Sequence, residues 1–192
     1  MYSQVINYIK QRIEISDKEI EDSLQYAEFK KYAKGDYILR AGEYCRFIGF
    51  LNKGFIVTTF TDETGNEKAS EFKHEGCFFT YTEGLANNNP SHKNFIAIED
   101  CEALVLNKEY LPLLFKTNPK FETLFSQILA EELRIVLLNE QSRKVQSVEE
   151  RYLALEHTFP NALQRIPVKY MAGYLGIEAP SLSRLRRRLA GK

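Results

Sequence analysis

The residues best suited to chemistry lie at the C-terminal end of the 192-residue chain. Residues 179–192 hold Arg184, Arg186, Arg187, Arg188 and Lys192 and no acid. Leu182, Leu185 and Leu189 are spaced three and four apart, so on a helix they make one apolar stripe. At about 100° per residue, Pro180, Ser183, Arg184 and Arg187 point the other way. That face suits a polyanion. An arginine fork at position 184 matches guanine O6 and N7 in a major groove, and Arg186, Arg188 and Lys192 flank it as phosphate neutralisers. Pro180 fits the first helical turn, where its missing N–H costs nothing.

A recognition face needs a partner helix to hold it. Residues 166–178 supply one: Met171, Leu175 and Ile177 are apolar, Ala172 allows close approach, and Gly176 permits a turn with positive φ. The pattern predicts a helix-turn-helix with its basic side outward, and Lys169 adds to that side. Charge follows the same division. Residues 164–192 carry seven basic residues and one acid, a net +6, while residues 1–163 carry 19 basic and 25 acidic residues, a net −6. The neutral total hides one basic end, and double-stranded DNA is the expected partner there.

Other chemistries find little support. His74, His92 and His157 are isolated, with no H-x-H spacing for a metal. No nucleophile elbow, phosphate loop or dinucleotide fingerprint occurs, so neither catalysis nor a cofactor is expected. Cys45, Cys77 and Cys101 are widely spaced and odd in number, which predicts reduced thiols. No apolar run approaches a membrane span, and the start Met-Tyr-Ser-Gln-Val-Ile-Asn-Tyr is no signal peptide. A cytoplasmic chain with no membrane partner is expected.

The remaining elements read in three blocks. Residues 3–31 have helical spacing broken near Ser16, where Ser16–Glu19 has capping-box form. From Tyr32 to Leu106 short β-branched and aromatic runs alternate with glycine turns, which predicts an all-β roll or jelly roll. Helix resumes at Leu111, and residues 121–145 form a long apolar helix ending before a second capping box at Ser147–Glu150. The fold class expected is α+β: a sensor-like jelly roll with N-terminal helices over 1–119, a long helix over 120–146 and a small helical domain over 147–192. Leu129, Leu133, Val136 and Leu137 would leave an apolar stripe for a second copy of the helix, predicting a homodimer.

A roll, a long helix and a C-terminal helix-turn-helix in this order resemble the Crp/Fnr family of bacterial transcription regulators. In the roll the resemblance rests on Gly35-Asp36, Ala41-Gly42-Glu43, Lys53-Gly54, residues 63–67 and Glu75-Gly76. It implies a homodimer on a two-fold symmetric operator and an effector in the roll, with RNA polymerase as a further partner. It also sets Arg184 at the base-contacting arginine and Ser181 where a hydroxyl meets a phosphate. Ala179 and Pro180 replace charged base readers. The family's cyclic-nucleotide site is missing part by part. Its Gly-Glu pair appears as Phe79-Thr80, its Arg-Ser pair as Ser91-His92, and its long-helix hydroxyls as Val136-Leu137. A cyclic phosphate needs a fixed cation, for which only Lys93 or His92 stands near. Cyclic AMP is therefore not the expected effector. Phe78, Phe79, Tyr81 and His92 either line a pocket for another small molecule or simply fill the roll.

Two alternatives stand beside this reading. One is a ligand- or protein-binding module whose C-terminal domain no longer meets DNA, although four arginines would be costly to desolvate in a protein contact. The weaker one is a cupin-like metalloenzyme.

Overall fold

The computed structural model describes residues 2–159 and 161–191. Two short helices open the chain, α1 (Ser3–Lys10) and α2 (Asp17–Leu24). Ser16 caps α2 through the reciprocal Ser16–Glu19 box, as its S-x-x-E spacing predicts. Hydrogen bonds from the Ser16 backbone and side chain and from Lys120 hold the Glu19 carboxyl near a pKa of about 2.

Eight strands follow: β1 (Ala27–Tyr32), β2 (Tyr37–Leu39), β3 (Phe47–Lys53), β4 (Ile56–Thr61), β5 (Glu67–Lys73), β6 (Phe78–Phe79), β7 (Lys93–Ala97) and β8 (Cys101–Asn107). They make two antiparallel four-stranded sheets in the orders β1-β8-β3-β6 and β2-β7-β4-β5. The strand region begins at Ala27, earlier than the helical spacing to residue 31 predicts. The sequence Ala-Glu-Phe-Lys-Lys-Tyr carries too little apolar signal to announce an edge strand, and pairing with β8 decides its conformation. The inner faces of the two sheets enclose Leu51, Ile56, Phe79, Phe95 and Ala103. A short helix α3 (Thr82–Asn87) bridges β6 to β7.

After a 3-10 turn at Lys108–Tyr110, α4 (Leu111–Thr117) leads into the 26-residue helix α5 (Lys120–Val145). The N-terminal half of α5 buries Phe121, Leu124 and Ile128 against α1 and the outer face of the first sheet. Its C-terminal half buries none of its large apolar residues. Ser147 breaks the helix with a second complete capping box and starts α6 (Val148–Thr158). Three further helices close the chain: α7 (Ala162–Arg165), α8 (Val168–Leu175) and α9 (Ala179–Ala190).

The C-terminal helices do not stand apart. Tyr152, Leu155, Ile166, Met171, Ala172 and Leu175 join Val57, Ala69, Phe72 and Ile96 of the second sheet, and Phe55 and Ile98 at the ends of β4 and β7, in one buried cluster. Where α8 lies against β5, a Cβ on Gly173 would lie 3.2 Å from the Ala69 backbone nitrogen, so the glycine lets helix and strand sit a few tenths of an ångström closer than a side chain would.

Candidate functional site

Helices α8 and α9 pack through Met171, Leu175, Leu182 and Leu185, all buried, with Ile177 and Leu189 half-buried at the edge. Gly176 takes φ +71° and ends α8, so the turn falls where the sequence put it. Pro180 sits in the first turn of α9 behind the extended residue Glu178. The apolar stripe fixes the roll angle of α9, and Ser183, Arg184 and Arg187 face solvent as a result. Arg184 donates to the Ser181 hydroxyl at 3.0 Å, and Ser183 donates to the Ala179 carbonyl at 3.1 Å.

The flanking cations are less available than their spacing suggests. Arg186 turns inward: it donates to the Leu163 carbonyl at 3.2 Å and lies beside the Tyr152 ring. A helical turn places residue 186 next to buried Leu182 and Leu185, so its stem joins the core edge instead of the basic face. Arg188 pairs with Glu149 of α6. Lys169 reaches across to Glu67 of β5 at 2.6 Å. Lys192 lies outside the described residues. The exposed basic surface among the described residues thus centres on Arg184 and Arg187.

Lys169 belongs to a set of ion pairs that fasten α7 and α8 to the roll. Arg165 donates to Glu75 at 2.6 Å and also binds Glu99, and its guanidinium lies 4.9 Å from the centre of the Phe55 ring. The two carboxylates hold the Arg165 proton more firmly than usual. Burial pushes the Glu75 carboxyl up, but hydrogen bonds from Arg165 and from the Gly54 backbone leave it below the ordinary carboxylate range. On the other side of β5, Lys73 is buried between Glu71 and Glu132 of α5. Burial pulls its ammonium pKa down, and the two carboxylates more than reverse this, to about 12. Glu132 itself is raised, because its burial outweighs its share of one lysine. None of these partners was legible in the sequence, since 90 residues separate Arg165 from Glu75.

The residues expected to line an effector pocket divide between two faces. Phe78 and Phe79 are successive residues of β6, so their side chains leave opposite sides of the sheet. Phe78 points outward to stack edge-on with Tyr8 and Phe50, which corrects its placement in the roll. Phe79 points inward and is fully buried among Phe47, Phe95 and Tyr81. A Cβ on Gly49 would lie 2.2 Å from the Phe79 ring, so the glycine is the space the ring occupies. Thr80 donates to the Phe47 carbonyl at 2.7 Å. Ser91 is buried and bonded to the Lys93 backbone, while His92 meets the Tyr81 hydroxyl at 2.6 Å. Burial, then the Glu83 hydrogen bond and charge, lift the Tyr81 hydroxyl to a pKa of about 12. These contacts are short-range and mutual. They fill the place where a pocket was expected.

On α5, Leu133, Val136, Leu137 and Leu138 are 47–60% exposed, and Leu129 is half-buried. The three cysteines are unpaired, and burial raises the Cys77 and Cys101 thiols, Cys101 to about 11. Among the described residues no group of three His, Cys, Asp or Glu side chains converges to hold a metal. No described helix is long and apolar enough to cross a membrane.

Two packed antiparallel sheets with a long helix define a class that sequence comparison also finds. Residues 29–118 match the family model of the cyclic nucleotide-binding domain. That segment spans all eight strands but the first two residues of β1, so the match falls on the roll. Among solved structures, the chain is similar to the c-di-GMP responsive global regulator CLP of Xanthomonas campestris (18% identity, TM-score 0.72, 92% of each chain covered). It is similar to FixK2 of Bradyrhizobium japonicum (17% identity, TM-score 0.74, 86% of this chain and 85% of that one). A third is a Crp/Fnr-family regulator of Eubacterium rectale (11% identity, TM-score 0.70, 92% and 84%). At such identities the likeness is one of fold. No curated protein matches the chain.

Proposed function

We propose that the protein is a homodimeric, sequence-specific DNA-binding transcription regulator of Crp/Fnr type, in which α8 and α9 form the helix-turn-helix and α9 enters the major groove. The observation that carries this reading is the exposed Ser183–Arg184–Arg187 face on a helix whose opposite face is locked by Leu182 and Leu185. A rigid helix with outward arginines can read base edges, whereas a mobile one gives only nonspecific attraction. Fold similarity over 92% of the chain to regulators agrees with it. Exposed Leu133, Val136 and Leu137 give the long helix an apolar surface for its twin. The roll would serve as sensor without cyclic AMP, since Phe79 occupies its interior and Arg is absent from the phosphate slot at Ser91-His92.

Fluorescence anisotropy on selected operator DNA tests the assignment of residues. Arg184→Ala should lose about 1–3 kcal/mol at the cognate site and relax one base preference. Arg187→Ala should weaken all sequences alike and reduce the salt slope by about one. Equal, sequence-blind losses in the two variants would reduce Arg184 to a phosphate contact.

A further inference from the structure

With the roll interior filled, an effector needs another place to bind, and a cleft of about 410 Å³ opens where β5, α1, α5, α6 and α8 meet. We propose that this cleft binds a small organic anion with an aromatic or apolar body, and that it is the effector site of the regulator. The second half of that statement rests on the function proposed above. The first half stands on the cleft alone.

Its charges are out of balance. Glu71 and Glu132 are both spent on Lys73, and Glu131 is taken by Arg134 in a two-pronged pair. Three further arginines remain on the walls. Arg12 folds over the ring of Tyr8, with its guanidinium carbon 3.4 Å from the ring centre. Arg143 stands 6.0 Å from the centre of the Tyr174 ring. Arg151 donates one bond to the Leu175 carbonyl and leaves its buried Nε without a partner. Among the described residues none of the three has a carboxylate within ion-pair distance. Burial lowers the His74 pKa, so the imidazole adds no fixed charge at neutral pH. Guanidiniums beside aromatic faces suit a carboxylate, sulfonate or phosphate attached to a flat or apolar group.

The position matters as much as the charge. The walls come from the roll, from the end of the long helix and from the C-terminal helices, on both sides of the break at Ser147. A ligand shifts a conformational equilibrium only if it contacts the alternatives differently. One held between Arg12, just past the end of α1, Arg143 of α5 and Arg151 of α6 would bridge the N-terminal segment, the long helix and the C-terminal helices.

The test is a fluorescence titration of the full chain with anilinonaphthalene sulfonate, an anion on an aromatic frame, and with uncharged N-phenylnaphthylamine as control. The sulfonate should bind saturably at one site per chain. Arg143→Gln with Arg151→Gln should weaken it about ten-fold or more and leave the neutral dye unchanged. Arg143 is exposed, so Arg143→Gln alone should fold normally and still weaken the sulfonate several-fold. Ala154→Trp, at an exposed position on the cleft wall, should abolish the site. Absence of saturable sulfonate binding, or binding indifferent to these substitutions, overturns the proposal. The titration contains no DNA. Its failure with operator binding intact removes the cleft alone, and loss of DNA binding with the dye site intact removes the regulator reading alone.

Discussion

At the scale of single residues, the ion pairs between the roll and the C-terminal helices have a definite pH signature. A carboxyl whose folded pKa lies below its unfolded value contributes fully above the unfolded value and loses that contribution as pH falls through the folded one. Glu75 is such a group, with an unfolded value near 4.5. The stability difference between wild type and Glu75→Gln, measured by urea unfolding, should therefore be constant around neutrality and shrink below about pH 4.5. A difference that persists unchanged to about pH 2 would mean that Glu75 contributes through shape and not charge. Phe79 gives a second residue-scale expectation. Its buried ring stands where the sequence resemblance puts a glycine, so calorimetry should detect no cyclic AMP binding up to about millimolar, roughly −4 kcal/mol. Micromolar affinity lost in Lys93→Ala would show that the lysine at the start of β7 supplies the missing cation.

At the scale of elements, β3 and β6 are matched by one large and one absent side chain. Gly49→Ala should destabilise the roll by about 1–3 kcal/mol through overpacking against Phe79. Phe79→Leu in the same chain should recover part of that loss, and two additive losses would show that the contact is not the cause. The elements themselves were largely readable. Both capping boxes, the Gly176 turn and the α9 stripe are encoded within four residues of each other, so local spacing defines them. Strand β1 and the short β6 were not readable, because their conformation comes from cross-strand partners distant in sequence. The candidate basic face was legible for Arg184, Ser183 and Arg187. The intramolecular contacts of Arg186, Arg188 and Lys169 were not legible, because their partners Leu163, Glu149 and Glu67 arrive only with tertiary packing. For the same reason the arginine cleft left no sequence signal: Arg12 lies in the turn after α1, Arg143 on α5 and Arg151 on α6.

At the scale of the whole molecule, the free half of α5 and the fastened C-terminal helices meet at Ser147. An apolar stripe that its own chain leaves exposed is a candidate contact between subunits, and the proposed dimer would bury it. Leu133→Glu should therefore convert a dimer to monomers by sedimentation and weaken operator binding far more than one lost contact would, since two half-sites no longer act together. A wild-type monomer at micromolar concentration would remove the dimer. The most direct test of the central claim is recovery and sequencing of the genomic DNA that the purified full chain retains. A regulator with paired recognition helices predicts one enriched, two-fold symmetric motif whose half-sites lie about 10 base pairs apart or a multiple of that. It should be lost in Arg184→Ala and in Leu133→Glu. Retained DNA without any enriched motif, or a motif unaffected by both substitutions, would contradict the assignment of α8 and α9 as a sequence-reading pair.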